Sequence, residues 1–184
     1  MIPVMLDPAR LRIGLIGRGD LALKRLAWFR SLDAEPEVFT DAPDGGLAAG
    51  AGGNIHTQLP PAEELAQFDL LWIADLDAKA AASLAGAARR AKVLVNVEDD
   101  LAHCDFHTPA VVRRGRLVLA AGTGGASPAV AAAVRARLEV EFPVRWADVL
   151  EDIAAARTRL RDAGAAPSEV AADARARLAA AKLI

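Results

Sequence analysis

The sequence predicts an α/β protein: a parallel sheet covered by helices on both faces, then a small strand-and-helix unit, then a helical C-terminal tail. Three observations predict it. Short, uniformly apolar runs alternate with helix-like segments through residue 107, as strands buried on both faces do. Alanine supplies 43 of the 184 residues, which favours helices. A glycine turn, Gly17-Arg18-Gly19, stands between the first apolar run and the first helical pattern.

Taken in order, Arg12 to Ile16 is the first strand, and Asp20 to Arg30 reads as a helix with Ala22, Leu26 and Phe29 on one face. Glu37 to Thr40 is a second short strand. Residues 44–53 hold five glycines and read as a mobile loop. Asn54 to Thr57 is a minor strand, Leu70 to Ala74 a buried one, Asp77 to Ala91 an alanine-rich helix and Val93 to Val97 a further strand. Beyond Thr108-Pro109 the pattern changes. Ala110 to Val112 and Leu117 to Ala121 form a hairpin with Arg113, Arg114 and Arg116 at its tip. Ser127-Pro128 supplies an N-cap and a proline at the first helical position. The helix it starts puts Val130, Val134 and Leu138 on one stripe and stops before Pro143. Two more helices, about 144–163 and 168–182, follow, the last capped by Ser168. The expected organisation is 1–107 as a nucleotide-type domain, 108–142 as a dimerisation unit and 143–184 as a helical tail. The hairpin is too short for a core of its own, so pairing with a second copy is expected.

Composition narrows the function classes. With 22 Lys+Arg against 24 Asp+Glu, nothing draws the chain to nucleic acid or an anionic membrane. No apolar run approaches the roughly 20 residues that span a bilayer. The opening Met1-Ile2-Pro3-Val4-Met5 lacks the cationic start of a signal peptide, so a cytoplasmic location is expected. A single cysteine, Cys104, excludes an internal disulfide framework and a multi-cysteine zinc site within one chain. The absence of tyrosine excludes reductases that depend on a tyrosine acid or base.

Gly17-Arg18-Gly19-Asp20-Leu21-Ala22 fits G-x-G-x-x-A between a strand and a helix. Gly17 permits a tight turn, Gly19 lets a pyrophosphate approach the backbone, and Ala22 lets the helix pack close to the sheet. Asp41 ends the second strand, where an acidic side chain accepts from an adenosine ribose and repels a 2′-phosphate. No arginine follows it closely, so NAD is expected over NADP. Asn96-Val97-Glu98-Asp99-Asp100 closes a strand where open α/β sheets place ligands. Mutual repulsion among its three carboxylates is expected to raise at least one pKa. His103-Cys104-Asp105-Phe106-His107 offers four ligand-type residues without a full set, so no metal site is assigned. His56 reads as a surface residue, and Trp28, Trp72 and Trp146 as core or interface residues. Arg113, with Arg114 and Arg116, is a candidate for bidentate carboxylate binding. Asn96 and Thr123-Gly124-Gly125 complete the candidate substrate contacts.

IGRGDLALKR (16–25), LVNVEDD (94–100), CDFHTPAVVRRGRL (104–117) and AGTGGASPAVAAAVRARLE (121–139) together resemble the N-terminal module of siroheme synthases. That family contains precorrin-2 dehydrogenases, some also sirohydrochlorin ferrochelatases. The resemblance covers roughly residues 8–145, and its last two segments are the specific ones. It implies a Rossmann domain, a strand-exchanging homodimer and a helical cap. It also implies NAD-dependent oxidation of the tetrapyrrole precorrin-2 to sirohydrochlorin, with ferrous iron a further substrate in some members. Within the family's N-V-x-D motif the key aspartate is Asp99. Cofactor contacts fall on Gly17, Arg18, Gly19, Asp20 and Leu21, and on Asp41-Ala42.

Five positions depart from the family. Arg18 stands where a third glycine is common, and Asp75 replaces a hydroxyl residue, placing a carboxylate where it would repel a pyrophosphate. Ala81 replaces a frequent asparagine, and the family has other residues at His103 and His107. These departures leave two other readings open: a chelatase that has lost the redox step, and a non-catalytic tetrapyrrole or nucleotide carrier.

Overall fold

The computed structural model describes residues 1–184, which divide into two compact units, Met1–Thr108 and Pro109–Ile184. In the first, β1 (Ile13–Gly17), β2 (Glu37–Phe39), β3 (Ile55–His56), β4 (Leu70–Ala74) and β5 (Leu94–Val97) form one parallel sheet in the order β3-β2-β1-β4-β5. The chain leaves β1 toward β2 and β3, then returns to build β4 and β5 on the other side. The order therefore reverses beside β1, and the Gly17–Ala74 pair marks the carboxyl end of that crevice.

Strand pleating feeds two cores. Leu15, Val38, Trp72 and Ala74 face one side and pack with Ala22, Leu26 and Phe29 of α1 (Gly19–Arg30). Ile16, Phe39, Leu71, Ile73 and Val95 face the other, under Ala81, Ala85 and Ala88 of α3 (Ala78–Arg90). Alternate residues of one strand thus go to opposite cores, which requires every position to be apolar. Trp72 anchors the first core by ring contacts with Trp28, Phe29 and Phe106, and its indole N–H donates to Thr108 Oγ1 at 2.9 Å.

Residues 44–53 are not the mobile loop their glycines suggested. They contain α2 (Gly45–Ala51), capped by Asp44, whose carboxylate accepts from Leu47 N–H at 2.7 Å. Leu47 and Ala51 are buried beneath it. A Cβ at Gly46 or Gly50 would press on Leu23 and Leu26, so these glycines serve close packing against α1. A 3₁₀ turn over Ala62–Gln67 buries Leu65 ahead of β4 and has no counterpart in the sequence reading.

The second unit, Pro109–Ile184, takes in both the segment expected to dimerise, from its second residue on, and the helical tail. It holds an antiparallel hairpin, β6 (Ala110–Arg114) and β7 (Leu117–Ala121), with α4 (Pro128–Glu141), α5 (Trp146–Asp162) and α6 (Pro167–Ala180). Arg113 and Arg114 belong to β6 and not to the tip. The last helix is capped one turn edge earlier than expected. Ala166 is its N-cap, Pro167 its first residue, and Glu169 accepts from Ala166 N–H at 2.7 Å, so Ser168 lies inside the helix. Arg177 ties α6 to Asp152 of α5 at 2.5 Å and to its own Asp173 at 2.7 Å. Of this unit's hydrophobic residues only Val112 and Ala156 are buried, and no residue of α4 is. No helix of the chain is long and apolar enough to cross a membrane.

Candidate dinucleotide site

The glycine turn stands at the crevice where strand order reverses. A Cβ at Gly17 would strike the carbonyl oxygen of Ala74, a backbone atom that cannot step aside, and would also meet Ala22 Cβ at 3.1 Å. Only glycine lets β1 run this close to β4. Gly19 has φ +53°, and a Cβ there would lie 3.1 Å from Asp75 Oδ2. Arg18 N–H donates to Ala74 O at 3.2 Å. The donors left at the start of α1 are those of Gly19, Asp20 and Leu21, in a first turn that has no intrahelical acceptors for them. This glycine cradle at a helix N-terminus fits the pyrophosphate of a dinucleotide. The Asp75 carboxylate against Gly19 is its one discordant charge.

Asp41 follows β2 as expected, but it does not stand alone. Arg18 donates to both of its oxygens, Nε to Oδ1 and Nη2 to Oδ2, each at 2.6 Å. The guanidinium hydrogen bonds hold the Asp41 carboxyl below the usual carboxylate range, and the same bonds raise the arginine. Neighbouring Ala42 is fixed by its N–H donating to the buried Thr40 hydroxyl at 3.2 Å. Leu21 packs half-buried on the α1 side of the sheet, while Asp20 is exposed in the first turn.

The three consecutive carboxylates are separated rather than left to repel one another. Arg25 Nη2 contacts both oxygens of Glu98, at 2.7 and 2.6 Å. Asp100 Oδ2 lies 2.7 Å from His103 Nδ1, a bond that lowers the Asp100 pKa. At Asp100 the hydrogen bond to the His103 imidazole outweighs the opposing effect of burial. Asp99 alone has no hydrogen-bonding or ionic partner. It is exposed, and its φ is +61°, a left-handed conformation that aspartate tolerates better than most residues. Asp75, with φ +55°, is its counterpart one strand away at the end of β4.

Asn96 sits behind this edge. It is 6% exposed, and its amide donates to Phe106 O at 2.8 Å, so it holds the 98–107 loop to β5. Cys104 does the same from the other end. Its thiol lies 3.1 Å from Val97 O and 3.2 Å from Asp100 O, and burial pushes its pKa up. Asp105 faces Arg89 at 2.8 Å and Val95 N–H at 3.0 Å. His103, Cys104 and Asp105 are thus engaged with Asp100, Val97 and Arg89, and no three His, Cys, Asp or Glu side chains of the chain gather into a group that could hold a metal. His56 is on the surface as expected, where it stacks on Phe39 and lies 2.7 Å from Glu37.

In the second unit, Thr123 Oγ1 accepts from Ser127 N–H at 3.1 Å, closing the turn that carries Gly124 and Gly125. Arg113 Nε donates to Gly115 O at 3.1 Å. Arg114 caps the end of α4 through Phe142 O at 2.6 Å, and Arg116 pairs with Glu151 at 2.7 Å. The pairings of Arg18 with Asp41 and of Arg25 with Glu98 escaped sequence reasoning. Each links residues brought together only by strand order.

The family described as putative NAD(P)-binding matches residues 4–110. The siroheme synthase of Methylococcus capsulatus (strain Bath) is 30% identical over 165 residues, covering 88% of this chain and 35% of that protein. That of Pseudomonas putida (strain W619) is 32% identical over 141 residues, 75% of this chain and 30% of that protein. The chain spans about a third of the length of these curated relatives. The solved structure of SirC, a precorrin-2 dehydrogenase, superposes with a TM-score of 0.71 at 21% identity, covering 95% of this chain and 88% of that one, a likeness of fold. The chain belongs to the putative NAD(P)-binding family, in the form found in the N-terminal module of siroheme synthases.

Proposed function

We propose that this chain oxidises precorrin-2 to sirohydrochlorin with NAD, in siroheme biosynthesis. The observation that carries the reading is Asp99. It is the one unpaired carboxylate of its run, held left-handed at the carboxyl end of β5, on the sheet edge that also carries the glycine turn. The names of the similar proteins, siroheme synthase and precorrin-2 dehydrogenase, supply the substrate class.

The first-turn donors of α1 would hold the pyrophosphate, and Asp41 and Ala42 would hold the adenosine end. When bound, the nicotinamide supplies a two-electron acceptor that takes a hydride from the reduced macrocycle. Asp99, committed to no other partner, takes the proton released as the new double bond forms. Asn96 and Cys104 keep the loop behind it from shifting, and Glu98 is held by Arg25. The uncovered α4 face of the second unit pairs with a second copy of the chain.

With precorrin-2 and NAD saturating, Asp99→Asn lowers NADH formation at least about tenfold, the low end for removal of a site acid or base. Asp100→Asn, whose partner is His103, lowers it less. Equal rates for Asp99→Asn and the parent overturn the assignment. Asp75 supports a second reading. Its carboxylate beside Gly19 disfavours a bound pyrophosphate, as in a member that only inserts ferrous iron into sirohydrochlorin. Metal insertion without any NADH formation establishes that reading instead.

A further inference from the structure

Arg18 and Asp41 come from different elements and meet at the carboxyl edge of the sheet. Arg18 lies between the two turn glycines, and Asp41 follows β2. The bidentate pair uses both Asp41 oxygens and one edge of the guanidinium, leaving Nη1 outside it. Both side chains remain about one-third exposed, at 32% and 38%, so a ligand can reach them. Asp75 and Asp77 are the other charged groups whose fields reach Arg18.

At this place in the fold an acid selects a ribose 2′-hydroxyl and excludes a 2′-phosphate, whereas an arginine accommodates the phosphate. This chain has both, already paired. We propose that the Arg18–Asp41 pair is its nucleotide-discriminating element: Arg18 cancels the charge by which Asp41 alone would exclude NADP, so the site admits NADP beside NAD. The inference rests on the dinucleotide-binding reading above. Its physical content is charge counting. The intact pair is neutral. Removing the arginine leaves one negative charge facing a phosphate that itself carries −1.5 to −2, and removing the aspartate leaves one positive charge with its donors free. The two changes must therefore move the NAD/NADP preference in opposite directions.

Calorimetric titration of the full chain with NAD and with NADP tests this. In the parent, the two dissociation constants fall within about tenfold of each other. Arg18→Gln shifts their ratio toward NAD by about tenfold or more, and Asp41→Asn shifts it toward NADP by a similar factor, the size of a lost or gained charge contact. Both shifts shrink as salt rises, because the pair is partly solvated. A ratio within threefold of the parent's in either variant, or a shift of the same sign in both, overturns the inference while NAD binding by the parent leaves the site itself standing. If the parent binds neither nucleotide, the dinucleotide reading falls and this inference falls with it.

Discussion

Asp75 and Gly19 compete for the space that a pyrophosphate would use. The carboxylate lies beside the bare backbone of Gly19, and Asp75 itself has a left-handed φ of +55°. One unit-charge repulsion at about 4–6 Å in a partly solvated cleft costs on the order of 1–3 kcal/mol. Asp75→Thr is therefore expected to tighten NAD binding by about tenfold or more, from a parent dissociation constant on the order of 100 μM or above. Calorimetry on the two proteins checks it, and an unchanged affinity means that Asp75 turns away when the nucleotide enters. The same charge was legible in the sequence, because the position follows directly from the strand end. The Arg18–Asp41 pair was not. Nothing local announces that a turn arginine will reach a residue 23 positions on, since that contact exists only once β1 and β2 lie side by side.

At the scale of elements, the first unit's strands were readable because each feeds two cores and can spare no polar residue. Leu70–Ala74 coincides with its expected bounds for that reason. The α2 helix was hidden by the opposite circumstance. Its glycines carry poor helix propensity, and the signals that decide are the Asp44 cap and a leucine buried four residues into the turn. Asp44→Ala removes the acceptor for Leu47 N–H and is expected to destabilise the first unit by about 1 kcal/mol. Thermal or denaturant unfolding measures it. A mobile loop over 44–53 would leave stability unchanged, so a neutral result contradicts the helix. Ser168 was misread for a related reason: Glu169 reaches back to Ala166 N–H, so the helix starts at Pro167, before the serine.

For the whole molecule, the second unit poses a question of burial. Val130 and Val134 are 52% and 42% exposed, on the stripe expected to pack, and the unit buries only Val112 and Ala156 among its hydrophobic residues. Seventy-six residues so thinly cored are expected to bury that face against another copy. Light scattering at micromolar concentration should give about twice the mass of 19.2 kDa, and a clean monomer contradicts the dimer. The crevice, the glycine cradle and the unpaired Asp99 all bear on one claim, that this fold moves a hydride from a tetrapyrrole to a nicotinamide. An anaerobic single turnover, with precorrin-2 limiting and NAD in excess, tests that claim most directly. NADH and sirohydrochlorin should appear together and in equal amounts. Precorrin-2 persisting unchanged over bound NAD would contradict it.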